Sequence, residues 1–301
     1  MREHDSDGPT TTRRGRRKFD DDDATFLKRG RLEPVLAEEP DLPETGDAWS
    51  SWDDSVHGPE PRPDWIVTER AAVDTELGML KTGKEADVFL VRRGVPDTDR
   101  TSLLAAKRYR DADHRMFHRD AGYLEGRRVR RSRANRAMAN RTSFGRELIA
   151  GQWAAAEFDA LSRLWTLGVA VPYPVQVRGT ELMLEFIGDA ESGEAAPRLA
   201  QTRPEPDALA DLWRQLLDAL TVLARCGLAH GDLSPYNLLV QDGKLVMIDL
   251  PQIVDVIANP QGRDFLARDV RNVANWFTAR GLPTGDIDGL IQGLAFEAGL
   301  R

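Results

Sequence analysis

Asp232, Asn237 and Asp249 are the residues from which chemistry can first be read. They stand in His230-Gly231-Asp232-Leu233-Ser234-Pro235-Tyr236-Asn237 and in Val246-Met247-Ile248-Asp249. An aspartate can accept or orient a hydroxyl proton. An asparagine oxygen and a second carboxylate are hard ligands suited to Mg²⁺, an ion that keeps several waters and bridges phosphates. Phosphoryl transfer asks for little more from a protein: an oriented nucleophile, and cations that neutralise charge on the transferring group. One such Asp alone is more often a cap, and one such Asn a turn residue. The joint occurrence, with the spacing D-x-x-x-x-N, points to a phosphotransfer loop.

A lysine and a glutamate extend the pattern. Lys107 ends the apolar run Leu103-Leu104-Ala105-Ala106-Lys107, and Glu157 lies in the apolar stretch Trp153-Ala154-Ala155-Ala156-Glu157-Phe158. A carboxylate there is costly to bury unless paired, and kinases pair a strand lysine with a helix glutamate to aim the lysine at nucleotide phosphates. Gly78 to Phe89 nearly spells a Walker A loop. However, Glu85 replaces the hydroxyl residue, and a strand follows where a helix N-terminus is required. The better reading is a flap between two strands, covering phosphates with backbone amides.

These residues need elements to hold them. Asp87–Val91 and Leu103–Lys107, separated by Gly-Val-Pro-Asp-Thr-Asp, read as antiparallel strands. Gly145–Leu167 reads as a helix, with Leu148, Trp153, Ala156, Ala160, Leu161 and Leu164 largely on one face. A strand pair, Val175–Val177 and Glu181–Ile187, follows. Gly188–Pro206 reads as a hinge, and Asp207 to about Arg225 as a second long helix. Asp242-Gly243 between Leu238–Val240 and Lys244–Ile248 is a strong hairpin signal, and Arg263–Arg301 is helical in pattern. Strands first and helices second predict an α+β protein of two lobes: residues 63–188 as an N-lobe and 189–301 as a C-lobe. Residues 1–62, charged and proline-rich, read as a disordered tail, with Trp49 and Trp52, and Trp65 just beyond it, as sparse exceptions.

The chain of 301 residues has net charge −8, 41% hydrophobic residues and 30% charged. No run approaches the ~18 apolar residues of a membrane span, the N-terminus has no secretory h-region, and Cys226 is the single cysteine. The expected compartment is the cytoplasm. The charge is uneven: Arg108–Arg146 holds twelve Arg against four Asp or Glu, a local +8 that leaves −16 for the remainder. This basic insert, 108–146, and within it Arg127–Arg136, suggests a local anionic partner such as RNA or a ribosome, or a solvated insert.

Taken together, the motifs resemble the RIO family of atypical serine/threonine protein kinases, in the branch associated with ribosome maturation. The matching stretches are Thr82–Phe89, Ala106–Tyr109, Trp153–Phe158, Val171–Pro174, Met183–Gly188, His230–Asn237 and Ile248–Gln252. The resemblance implies a protein-kinase-like fold with a shortened C-lobe, since only 52 residues follow Asp249. It implies Mg²⁺ and ATP as cofactors. ATP would be held near Glu185–Ile187 under a flap of Lys81, Thr82, Gly83, Lys84 and Glu85. Lys107, paired with Glu157, would meet the phosphates. Asp232 would be catalytic, Asn237 and Asp249 would hold the metal, and Asp249 would itself become transiently phosphorylated. Two positions depart from the pattern: Gly231, where the branch usually has Ala, and Pro251, where Ser is common. The rival readings are a small-molecule kinase of the aminoglycoside or choline type, toward which Gly231 leans, and an ATP-gated RNA- or ribosome-binding assembly factor.

Overall fold

Period-two alternation builds the first half of the chain. The computed structural model describes residues 42–110 and 143–300; residues 1–41, Arg127–Arg136 and the rest of 111–142 lie outside the described residues. Seven strands form one antiparallel sheet: β1 (Ala48–Trp49), β2 (Val56–His57), β3 (Val73–Thr82), β4 (Ala86–Gly94), β5 (Thr101–Tyr109), β6 (Pro174–Arg178) and β7 (Glu181–Glu185), in the order β1-β3-β4-β5-β7-β6-β2. Side chains alternate between faces along each strand. Lys107 of β5 stands opposite Val88 and Leu182, and Ala105 opposite Leu184, on one face. Ser102 stands opposite Arg93, and Arg93 opposite Asp74, on the other.

Helix α1 (Ser143–Thr166) covers the Lys107 face. It buries Ala150, Ala154, Phe158, Leu161 and Leu164 at three- and four-residue spacings, the stripe of a core-facing helix. The opposite face is covered by residues 42–62, and here the expected tail is corrected. Trp52 is buried in a cluster with Ile66, Leu104, Ala106 and Tyr173. His57 stacks on its ring at 3.8 Å, and the Arg62 guanidinium lies 4.8 Å above it. The segment runs so close to β6 that a Cβ on Gly58 would come within 2.0 Å of the Pro174 carbonyl. Trp65 also packs edge-on against Tyr173. Aromatic burial and one strand pairing at each sheet edge hold this strap, and two-residue strands carry no period to read.

The second half is helical. α2 (Pro206–Arg225) buries Leu209, Leu212, Trp213, Leu216, Leu220 and Leu223. It precedes β8 (Leu228–Ala229), the hairpin β9 (Leu238–Gln241) and β10 (Lys244–Met247), then β11 (Val254–Asp255). The hairpin turn places Asp242 and Gly243 at φ +50° and +74°, the two left-handed residues of a type I′ turn. The helical stretch at the end is two helices, α3 (Gly262–Thr278) and α4 (Ile287–Glu297), divided where Gly281 and Gly285 take positive φ around Pro283. β8 pairs with β11, Ala229 opposite Val254, so the loop after β8 lies beside the segment after Asp249. The Gly188–Pro206 stretch is tied down by bridges Gly188 to Ala195 and Arg198 to Leu239. No helix among the described residues is long and apolar enough to cross a membrane.

Candidate active site

Between the sheet and the helical half lies a cleft of about 1280 Å³, roomy against the ~300–1,000 Å³ of common small-molecule sites. Val88, Ala105, Leu184, Leu239 and Ile248 give it apolar walls. Of the residues singled out from sequence, Lys81, Gly83, Lys84, Glu85, Lys107, Glu157, Glu185, Ile187, Asp232 and Asp249 line it. Thr82 and Asn237 do not. Thr82 donates to Asp87 beside Arg110, and Asn237 is 7% exposed behind Asp232.

One wall carries an ion cluster. Lys107 Nζ donates to Glu157 Oε1 at 2.8 Å and to Asp249 Oδ1 at 2.7 Å. Burial would lower the lysine pKa, but the Glu157 and Asp249 carboxylates outweigh it and hold the ammonium above its ordinary range. Burial would raise Asp249; Lys107, then Lys81 and His230, bring its carboxyl down to about 2. Glu157, 1% exposed, also accepts from the Leu250 N–H at 3.1 Å and from the Tyr109 hydroxyl. Burial and the Glu157 charge push the Tyr109 phenol well above its usual value, keeping it a donor. Asp249 sits at φ +67°, a left-handed conformation that costs a non-glycine residue energy and concentrates at functional sites.

The flap is a tight turn between β3 and β4. Gly83 donates its N–H to the Ala86 carbonyl at 2.9 Å, and a Cβ at Gly83 would approach that carbonyl to 2.8 Å. Burial, with Arg198 and Lys107 adding to it, lowers the Lys81 ammonium against the pull of Asp249. At the far end Glu185 exchanges bonds with Tyr173. Its N–H donates to the Tyr173 carbonyl at 2.9 Å, and its carboxylate accepts from the Tyr173 N–H at 3.0 Å.

The Asp232 loop is held from below by a residue that sequence reasoning missed. Asp269 of α3, fully buried, accepts from Gly231 N–H at 2.7 Å and from Leu233 N–H at 3.0 Å. Burial holds its carboxyl above the ordinary range, with His230 and these two amides pulling the other way. Arg268 donates to the Gly231 carbonyl, and Asn272 to that of Leu233 at 3.2 Å. His230 bonds the Ile248 carbonyl at 3.1 Å, and Asn237 Nδ2 donates to the Asp232 carbonyl at 2.9 Å. Asp232 itself is exposed to the cleft. Gly231 has φ +88°, and an added Cβ would come within 2.2 Å of the Gln252 carbonyl. Here alanine would force the two loops apart. Asp269 has one sequence signal: it interrupts the apolar stripe Leu266, Val270, Val273 on the core face of α3.

Comparisons with known proteins bear on the family and the fold. A family model described as the RIO domain matches residues 100–290. The RIO-type serine/threonine-protein kinase Rio1 of Haloferax volcanii is 37% identical over 219 residues, covering 72% of this chain and 67% of that protein. The serine/threonine-protein kinase RIO1 of Chaetomium thermophilum is 34% identical, with 72% and 42% covered, and that of Saccharomyces cerevisiae 30%, with 72% and 46% covered. The matched part is thus less than half the length of either fungal relative. A crystal structure of the Rio2 kinase-ADP/Mg²⁺-phosphoaspartate complex from Chaetomium thermophilum matches with TM-score 0.50 at 20% identity, covering 74% of this chain and 67% of that one. That likeness is one of fold: a two-lobed, kinase-like α+β architecture.

Proposed function

This chain belongs to the RIO family, and we propose on that premise that it is an ATP-dependent serine/threonine kinase acting on a protein hydroxyl or on itself. The observation that carries the reading is the trio Lys107, Glu157 and Asp249 on the wall of a cleft that also exposes Asp232. The apolar walls suit an adenine ring, with the backbone of Glu185–Ile187 at its edge. Lys107, aimed by Glu157, and the flap from Lys81 to Glu85 suit the phosphates. Asp232 takes the proton of the acceptor hydroxyl. The hydroxyl oxygen bonds to the γ-phosphorus, the bond from that phosphorus to the β–γ bridging oxygen breaks, and ADP leaves with the electron pair.

The donor set suits Mg²⁺. Asn237 has its amide nitrogen engaged by the Asp232 carbonyl, which leaves an oxygen for a hard cation, and Asp249 is held ionised. When bound there, the ion would neutralise phosphate charge. The same carboxylate, kept anionic beside Lys107, is the candidate for transient phosphorylation. Contact of Arg127–Arg136 with RNA or a ribosome is a separate proposal, tested by the salt dependence of RNA binding.

Asp232→Asn tests the assignment. Incubated with Mg·ATP and analysed by mass spectrometry, the variant should transfer phosphate about 10²–10⁴-fold more slowly, the usual contribution of a general base. Its ATP affinity should stay close to wild type. Undiminished transfer removes Asp232 from the mechanism.

A further inference from the structure

The Asp232–Asn237 loop reads Asp-Leu-Ser-Pro-Tyr-Asn and contains no cation. Yet the transferring phosphoryl group spreads negative charge over three oxygens, and preorganised cations aimed at it are among the largest contributors to such reactions. The cations lining the cleft are Lys81, Lys84, Lys107 and Arg198. Lys107 is engaged by two carboxylates, and Lys81 and Lys84 belong to the flap of the other lobe. Arg198 alone is fastened to the Asp232 loop. Its Nη1 donates to the Tyr236 carbonyl at 2.8 Å.

The backbone beneath it is fixed at several points. Arg198 bridges to Leu239, its N–H donates to Gln201 Oε1 at 3.0 Å, Val240 N–H donates to the Pro197 carbonyl at 2.9 Å, and Ala200 N–H donates to the Pro235 carbonyl at 3.0 Å. Among the described residues no carboxylate forms an ion pair with Arg198, whereas Arg93, Arg100, Arg108, Arg110 and Arg225 each have one. Its field reaches Lys81, the flap cation. One guanidinium nitrogen is used, and the remaining donors form the planar fork that matches phosphate oxygens.

We propose that Arg198 is the cation that meets the terminal phosphoryl group of the nucleotide, from its anchor on the Asp232 loop. The proposal rests on the kinase reading above and adds to it a catalytic residue from the Gly188–Pro206 linker. The blander role for Arg198 is to tie the linker to the loop through Tyr236, with no contact to nucleotide. The two differ in what they do to ATP and ADP, which share everything except that terminal group.

Arg198→Ala and Arg198→Lys in the full chain decide it, with Mg·ATP and Mg·ADP binding measured by calorimetry and transfer measured separately. The Ala variant should bind ADP within about threefold of wild type, lose about tenfold in ATP affinity relative to ADP, and transfer about 10²-fold more slowly, as for one lost transition-state donor. The Lys variant, which keeps the charge, should recover part of both losses. Equal weakening of ATP and ADP, or unchanged transfer by the Ala variant, overturns the proposal. Failure of the kinase reading looks different: the wild-type protein itself would then transfer no phosphate, while the ATP-over-ADP preference still reports on Arg198.

Discussion

The two faces of the seven-stranded sheet each carry a buried cation, and they use it in opposite ways. On the strap face Arg93, 0% exposed, bonds Asp74 through Nε and Nη2 at 2.7 and 2.9 Å and Gln176 through Nη1 at 2.7 Å. Gln176 in turn donates to Ser51 and Ser55 of the strap. That cluster is sealed, with its guanidinium bonded on every nitrogen. On the cleft face Lys107, 9% exposed, bonds Glu157 and Asp249, but the Asp249 side chain is 33% exposed and opens onto the cavity. A buried ion pair is therefore no mark of a site by itself, since charges taken from water must be paired wherever they lie. The mark is a pair left open on one side, where a ligand can replace one of the partners.

Replacing each cation in turn should separate the two uses. Lys107→Met should reduce phosphate transfer by about 10³-fold or more, the scale of a phosphate-clamping cation, and, because it strands the buried Glu157, should lower the melting temperature as well. Full activity in that variant would reduce the cleft cluster to the same structural role as its counterpart. Arg93→Met should affect stability alone. It strands Asp74 in the interior and should destabilise folding by about 3–5 kcal/mol, while kcat, measured well below the melting temperature, stays near wild type. A selective loss of kcat there would mean that the strap face communicates with the cleft.

The smallest effect sharpens the picture within the cleft. Tyr109→Phe removes one donor from Glu157 and leaves Lys107 and the Leu250 N–H in place. Stability should fall by about 1 kcal/mol, as for a typical hydrogen bond, and transfer by no more than about tenfold. A loss as deep as that of Lys107→Met would make Tyr109 the group that sets the Lys107–Glu157 geometry.

Much of the cleft was legible because its residues advertise a mismatch with their surroundings. Glu157 stands in an alanine-rich helix, Lys107 at the end of an apolar strand, and the Asp242-Gly243 turn dictates its own backbone. Tyr109 was silent, because an aromatic at the end of a strand looks like any core residue. Asp269 shows only as a break in an apolar stripe until its helix is placed against the Asp232 loop, some 36 residues earlier in the chain. Arg198 sits in a stretch with no period. The strap was misread as tail because tertiary contacts hold it, and each of its strands is two residues long. Gly231 was visible as a departure, but the nearby Gln252 carbonyl that requires it was not.

The strap also bears on the order in which the molecule can be completed. Its first strand pairs with β3, but its second pairs Val56 with Val177 of β6, a separation of 121 residues. Loops of that span close late, because their entropy must be met before their contacts form. While the chain is being synthesised, β2 therefore has no partner until β6 has emerged, and from that point until β2 docks the β6 edge has unpaired N–H and C=O groups that could recruit a strand from a neighbouring chain. Docking of Val56-His57 ends that exposure at their register, so the same two residues that finish the sheet also cap the β6 edge during biogenesis.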